Sequence, residues 1–548
     1  MESAKHAGDV AVAVSRAYGA EVMFTLSGGH VFPLYDGAVH DNMRIVDVRH
    51  EQSAVFAAEA TARLTRQPGL AVLTAGPGIT NGVSGVATAH YNGSPLVVMG
   101  GRAPASRWGS GALQEMDHPP IFETITKLAF TAGGADSIGQ DVEMAFRTAI
   151  APHRGPVFLD FYMDHLFSPS PAHEAETLTP SPLEPDGETL ATIARLIAEA
   201  ERPVLVVGSD VWMDRAEEAA RDFAEAYRVP VVPNGQGRGI VPAGHELLAT
   251  RARGIALSQA DLVIVAGTPL DFRLGYGFFG GRNGVPLAKV VHLADAPSQL
   301  ATHVETAAST AGDLSLLFWG LRSACAEAGV SPTSHDAWVT RLAEESRAAI
   351  ADDVELMESD ADPIHPMRIY GELNRILDDD AVVIGDGGDF VSYAGKYIEP
   401  RKPGCWLDPG PYGCLGTGLG YSIAARIARP SSQVVLLVGD GAAGFSLMDV
   451  DTLVRHKLPV VMICGNNGMW GLEKHPMQML YGYDVAAELQ PQCRYDQVVT
   501  ALGGGGELVT SPKEIGPALR RAFDSGVPYM VNIATDPQIA YPRTTTGI

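Results

Sequence analysis

Short, nearly continuous apolar runs recur along the whole chain. Longer helical patterns alternate with them. The first third carries MRIVDV, LAVLTAG, SPLVVMGG and GPVFLDF. The middle carries PVLVVG, VPVVP, ADLVIVAG and AKVVHLA, and the last third AVVIGDG, QVVLLVGDG, LPVVMICGNN and PYMVNIA. A strand with one face in water alternates apolar and polar residues. A strand that is apolar throughout is covered on both faces, which is the pattern of a parallel sheet between helices. The 548 residues exceed a single domain at ~100–200 residues each. Two polar, proline-rich stretches, 168–187 and 351–366, have linker composition and divide the chain near 1–167, 188–350 and 367–548. The expected fold is α/β: three consecutive doubly wound parallel-sheet domains.

Composition narrows the function. Hydrophobic residues at 46% and charged residues at 19% are those of a globular protein. The formal charge of −24 repels a nucleic-acid backbone, so no nucleic-acid partner is expected. It leaves room for an anionic small molecule held by a local basic pocket or by backbone N–H groups. No run approaches the ~18 apolar residues of a membrane span. The opening MESAKHAGDVAVAVSRAYGAEV places Lys5, His6 and Asp9 where a secretory peptide needs an apolar run. It reads as an amphipathic helix, and a cytoplasmic location is expected. The five cysteines form no CxxC pair, so neither a disulfide framework nor a zinc site is expected.

The stretch 434–470, VVLLVGDGAAGFSLMDVDTLVRHKLPVVMICGNNGMW, carries the chemistry. One apolar strand ends in Gly439-Asp440-Gly441 and the next in Asn466-Asn467, with 24 residues between Gly441 and Asn466. One crossover fills that gap, so Asp440 and Asn467 emerge at the same sheet edge. A carboxylate beside an amide oxygen suits a hard cation such as Mg²⁺. The small Gly441 and Ala442 let backbone N–H groups approach a phosphate. A diphosphate bridged to the protein by a divalent metal is the natural occupant. A GDG alone is a common turn, and the chain has a second at 385–387 without an Asn-Asn at this distance.

This spacing resembles the diphosphate and metal motif of thiamine-diphosphate-dependent enzymes, and the likeness spans almost the whole chain. It implies a pyrimidine-binding domain, a middle nucleotide- or CoA-binding domain and a diphosphate- and metal-binding domain, in that order. It implies thiamine diphosphate and Mg²⁺ as cofactors, with Asp440, Asn467 and the backbone oxygen of Met469 as metal ligands. Within it, RHEQ (49–52) is similar to the segment that carries the essential glutamate, here Glu51, beside the aminopyrimidine. Alone, such a glutamate is also favoured by the helix dipole. In such enzymes the glutamate reaches the cofactor from the partner subunit, so a homodimer or homotetramer is expected. TAGPGITNGVSG (74–85) matches the Gly-Pro-Gly loop of the family. In PGPYGCLGTGLGYS (409–422), Gly413 aligns with a pyrimidine contact and Leu415 with the apolar wedge that bends the cofactor. Gly388 falls at a diphosphate contact, although the following Asp389-Phe390 departs from the Gln-His of acetolactate synthases.

Three segments bear on the reaction. RYDQVVTALGGGGELVTSPKEIGPALRRAF (494–523) is similar to the acyl-CoA branch, where Tyr495 would lie near the thioester. GALQEMDHPP (111–120) has Gln114 as in lyases and synthases, where oxalyl-CoA decarboxylases carry a Tyr-Glu pair. Arg253 resembles an arginine that meets the CoA nucleotide. ADP or CoA in the middle domain stays open, as does FAD, since no GxGxxG is present there. FTLSGGHVFPLYDG (24–37) is like that of 2-hydroxyacyl-CoA lyases and acetolactate-synthase-like proteins, with Gly28 and Gly29 near the reacting carbon. The expected function is that of a thiamine-diphosphate-dependent 2-hydroxyacyl-CoA lyase. It would cleave the C1–C2 bond to formyl-CoA and an aldehyde or ketone, and run the reverse condensation. The base for the substrate hydroxyl would be the cofactor's own amino group or Glu488, and the tail YPRTTTGI (541–548) would cover CoA. The alternatives are an acetolactate-synthase-type carboligase acting on pyruvate and an oxalyl-CoA decarboxylase. A regulatory subunit without catalysis is the reading from a different class.

Overall fold

The structure is a computed structural model that describes residues 6–177, 181–280 and 287–541. The apolar runs form three parallel sheets, and every ladder within them is parallel. The first contains β1 (Val22–Thr25), β2 (Arg44–Asp47), β3 (Gly69–Leu73), β4 (Leu96–Arg102), β5 (Leu128–Thr131) and β6 (Pro156–Tyr162). The second contains β7 (Pro203–Val207), β8 (Val231–Pro233), β9 (Leu262–Ala266), β10 (Lys289–Ala294) and β11 (Ala308–Ala311). The third contains β12 (Val382–Asp386), β13 (Trp406–Leu407), β14 (Val434–Gly439), β15 (Val461–Asn466), β16 (Gly505–Val509) and β17 (Tyr529–Ala534). The sequence reading of three consecutive α/β parallel-sheet domains is the observed architecture.

The first sheet runs β2-β1-β3-β4-β6-β5 and the third β13-β12-β14-β15-β17-β16. These are one topology used twice. The direction of winding reverses between β1 and β3 and again between β12 and β14. In sheets of this kind the crevice beyond the strand ends at the reversal is where ligands bind.

Five strands lack an apolar signal. The strands β5, β11, β13 and β16 are sheet edges. Three of these edges, β5, β11 and β16, are only partly buried, so their sequences need not be apolar throughout. The fifth, β1, is fully buried but only four residues long. The stretch 351–366 departs from its linker composition at its start. There the helix Asp336–Met357 continues through ADDVELM, because Asp353 pairs with the half-buried Arg251 and Met357 packs on the third unit's core.

One core is shared by the first and third units. The helices Glu51–Thr65 and Thr417–Ala428 lie face to face, with Phe56 edge-on to Tyr421 at 6.1 Å between centroids. Their approach needs Gly420, where a Cβ would fall 2.7 Å from Phe56. Buried Arg63 donates to the Asp408 carbonyl at 2.8 Å and to the Tyr421 hydroxyl at 3.3 Å, and pairs with Glu59 at 3.4 Å. Asp449, from the third unit, accepts from the Arg49 backbone at 2.7 Å and from the Ser53 hydroxyl at 2.5 Å. Among the described residues no helix is long and apolar enough to cross a membrane. The tail beyond Tyr541 lies outside the described residues.

Candidate active site

Two glycine-lined turns meet at the reversal of the third sheet. The chain leaves β12 through Gly387, at φ +94°, where a Cβ would lie 2.7 Å from the Ala442 side chain. It leaves β14 into the helix Asp440–Ser446, where a Cβ on Gly441 would lie 2.5 Å from the Trp470 ring. Gly388 opens the helix Gly388–Tyr397, with Leu472 about 3.1 Å from where its Cβ would be. The result is a bare backbone cradle with N–H groups at two helix starts, suited to a diphosphate.

The strands β14 and β15 are direct neighbours, with Gly439 opposite Gly465, so Asp440 and Asn467 do emerge side by side. Asp440 is buried. It accepts from the Gly441 N–H at 3.0 Å and from the Gly468 N–H at 2.7 Å, and burial pushes its carboxyl up to about 6. No basic side chain forms an ion pair with it among the described residues. A buried carboxylate without a cation, beside the Asn467 amide oxygen, fits a divalent metal. That oxygen accepts the Met469 N–H at 3.2 Å. The first asparagine is structural: the Asn466 amide donates to Cys493 O at 2.9 Å and to Asn532 at 3.0 Å.

The residues expected further along lie around this loop. Glu488 pairs with Met469 through a backbone bridge, but its carboxylate is 74% exposed and bound to Lys474 at 2.8 Å. Tyr495 begins the helix Tyr495–Ala501, half-buried on the shared core. Its hydroxyl is pushed up, mainly by burial, and Asp440 is among the charges that act on it.

The loop 409–418 joins this half of the site to the first unit. Gly413 sits at φ +68° and Leu415 packs on the shared core. Gly416, at φ +86°, is wedged between Phe445 and Gln52, the residue after Glu51. Fully buried Asp386 at the end of β12 holds the loop by accepting the N–H groups of Gly416 at 3.1 Å and Gly418 at 2.8 Å.

The first sheet supplies the matching reversal between β1 and β3. Glu51 is buried at the first turn of its helix, behind the N-cap His50, whose Nδ1 accepts the Gln52 N–H. Its Oε2 accepts from the Asn81 amide at 3.0 Å, and its Oε1 lies about 3.5 Å from where a Cβ on Gly78 would be. Gly28 is pressed on Thr74, with a Cβ position 2.2 Å from the Thr74 Cβ. Gly29 is open apart from the Phe32 ring. Gln114 takes a left-handed conformation at φ +58°, and its Cβ lies 3.0 Å from where one on Gly76 would be.

Sequence reasoning passed over four residues here. His30 Nδ1 contacts the Thr74 hydroxyl at 3.2 Å, and burial lowers its basicity. His118, fully buried, accepts the Gly76 N–H through Nε2 at 3.0 Å, so Nδ1 carries the proton and donates to Asp160 at 2.8 Å. Arg102 in turn pairs with Asp160 at 3.1 Å. The only available signal was the presence of histidines within the SGGHVF and MDHPP stretches already singled out. Arg253 stands apart in the middle unit. It donates to the Arg273 carbonyl at 2.7 Å, and burial together with Arg238 and Arg273 lowers its pKa to about 10.

Comparison with known proteins agrees with this geometry. Residues 5–121 match the model of the thiamine pyrophosphate enzyme N-terminal TPP-binding domain. Residues 190–321 match the central domain and 386–533 the C-terminal TPP-binding domain. A probable acetolactate synthase of Mycobacterium bovis is 50% identical over 543 residues, covering 98% of this chain and 97% of the relative. The acetolactate synthase large subunit of Mycobacterium tuberculosis is 50% identical over the same 543 residues and the same shares. The 2-hydroxyacyl-CoA lyase 2 of Caenorhabditis elegans is 34% identical over 552 residues, 93% of this chain and 85% of the relative.

Proposed function

We propose acetolactate-synthase-type carboligation of 2-oxo acids, pyruvate first among them, for this chain, which belongs to the thiamine pyrophosphate enzyme family. Its cofactor is thiamine diphosphate, usually held in this family with a divalent ion such as Mg²⁺. The observation that carries the reading is the 50% identity over 98% of the chain to proteins named acetolactate synthase. The lyase expected from the sequence rests on relatives near 30–34% identity and becomes the second reading. A further point in its favour is that Arg253 lies near Arg238 and Arg273, a basic group of which only Arg273 has an acidic partner in an ion pair, Asp271 at 2.7 Å, among the described residues.

Bound thiamine diphosphate supplies the carbanion chemistry; the protein supplies orientation and proton transfer. In our reading, Asp440, Asn467 and the Met469 carbonyl hold the metal, and Gly388, Gly441 and Ala442 hold the diphosphate. Gly413 and Leu415 seat the pyrimidine and the bend between the rings. Glu51 holds the proton that the aminopyrimidine nitrogen needs, out of reach of bulk water. Gln114, packed on Gly76, offers a neutral amide to the carbonyl or hydroxyl of the substrate, with Gly28 and Gly29 near its reacting carbon. His118 and Asp160 act through Gly76 and set that loop. The boundaries 1–167, 188–350 and 367–548 are proposed as the pyrimidine, middle and diphosphate units.

The test is a product assay of the purified protein with thiamine diphosphate and Mg²⁺, with Glu51→Ala as control. Pyruvate is offered in one arm and a 2-hydroxyacyl-CoA in the other. Acetolactate from pyruvate alone, lost in the variant, is the expected result. Formyl-CoA with a carbonyl product and no acetolactate would replace the synthase reading by the lyase.

A further inference from the structure

Where the first and middle units meet, they enclose a cavity of about 680 Å³. His153, from the first unit, and Asp210, which follows β7, are among its lining residues. Asp295, which follows β10, lies behind them and is 2% exposed. The His153 ring rests on Gly93, where a Cβ would lie 2.6 Å from the imidazole, so only glycine admits it.

The three side chains converge, and His153 satisfies Asp295 but not Asp210. His153 Nδ1 lies 3.0 Å from both oxygens of Asp295 and 4.0 Å from Oδ2 of Asp210. A single proton on Nδ1 can serve Asp295 alone. Asp210 is 8% exposed, and among the described residues its carboxylate accepts no hydrogen bond. The nearby Arg154 is committed to Asp214 at 2.6 Å and approaches Asp295 no closer than 3.9 Å.

A tetrahedral cation with bonds of ~2.0–2.2 Å sets its donor atoms ~3.4 Å apart. The observed 3.0 and 4.0 Å straddle that edge, and the three donor atoms lie within 4.8 Å of one another. Two carboxylates balance a divalent charge, the imidazole binds through Nδ1, and the cavity leaves a fourth position for water.

We propose that His153, Asp210 and Asp295 form a zinc-type divalent cation site that ties the first unit to the middle unit, separate from the metal position at Asp440 and Asn467. A nitrogen donor beside two carboxylates favours zinc over magnesium, which keeps to oxygen ligands.

The test uses the EDTA-treated protein reconstituted with saturating thiamine diphosphate and Mg²⁺, then titrated with Zn²⁺ by calorimetry and with Co²⁺ by absorption. One further equivalent of Zn²⁺ per chain is expected, together with the strong visible bands of four-coordinate Co²⁺. Asp210→Asn and Asp295→Asn should each weaken both by about tenfold or more, with Mg²⁺-dependent cofactor binding retained. If Asp295→Asn does not fold, Asp210→Asn carries the test, since its carboxylate supports no hydrogen bond. No further equivalent in the wild type, an equivalent that excess Mg²⁺ displaces, or undiminished binding in both variants would overturn the site.

Discussion

Asp386 shows how one buried charge can fix a loop and leave a mark on stability. It is fully buried, among the described residues it is compensated only by two backbone N–H groups, and burial pushes its carboxyl up to about 7. The folded chain therefore keeps a proton that the unfolded chain releases at the ordinary aspartate value of about 4. Wherever the folded state binds more protons, stability falls as pH rises. The contribution of Asp386 is thus greatest on the acid side and is lost between about pH 4 and 7, where stability falls by at most about 1.4 kcal/mol for each step of one in pH. Asp386→Asn keeps an acceptor for the loop and removes the titration. The urea midpoint of the variant, measured across that range, should be flatter with pH than that of the wild type. Equal slopes would mean that Asp386 stays ionised in its pocket.

At the scale of elements, the first and third units are joined by Asp449 reaching across to the start of the Glu51 helix. Asp449 and Ser53 are both 1% exposed, and Thr452 adds a hydroxyl at 3.0 Å. Asp449→Ala leaves the buried Ser53 hydroxyl and the partly buried Arg49 N–H without an acceptor, a loss of about 1–3 kcal/mol. Chemical denaturation should show it, and Asp449→Asn should recover part of it. A midpoint unchanged in Asp449→Ala would mean that the two units hold together without this latch. Neither this contact nor the Asp386 clasp is legible in the sequence, for a physical reason. The partners of Asp386 lie 30 and 32 residues away, and Ser53 lies 396 residues from Asp449. No local pattern encodes such pairs. The central strands are legible because burial on both faces forces an apolar run, and the Asp440 and Asn467 turns because one crossover fixes their spacing. His118 falls between these cases. Its residue type is visible in MDHPP, but its place under Gly76 depends on how the first sheet winds.

At the scale of the whole molecule, the site is split between two sheets of one topology, with Glu51 at one reversal and Asp440 at the other. Phe445 and Met448, in and just after the helix Asp440–Ser446, are 55% and 56% exposed, and Met479, Leu480, Tyr481 and Tyr483 are exposed on and just after the helix Gly471–Tyr481. Large apolar side chains left in water beside the candidate site suit burial against a second copy. The resemblance implies that Glu51 would serve the cofactor of a partner subunit, and with the exposed apolar surface this makes one prediction. Glu51→Ala and Asp440→Asn should each be inactive as pure oligomers. Mixed by co-expression, they form hybrid dimers in which one site carries both lesions and the other carries neither. With random pairing, half the dimers are hybrids with one intact site of two, so about a quarter of the wild-type activity should return. Activity no higher than in either parent, from a mixture shown by mass to contain hybrids, would mean that each chain closes its own site. The exposed apolar surface would then need another partner.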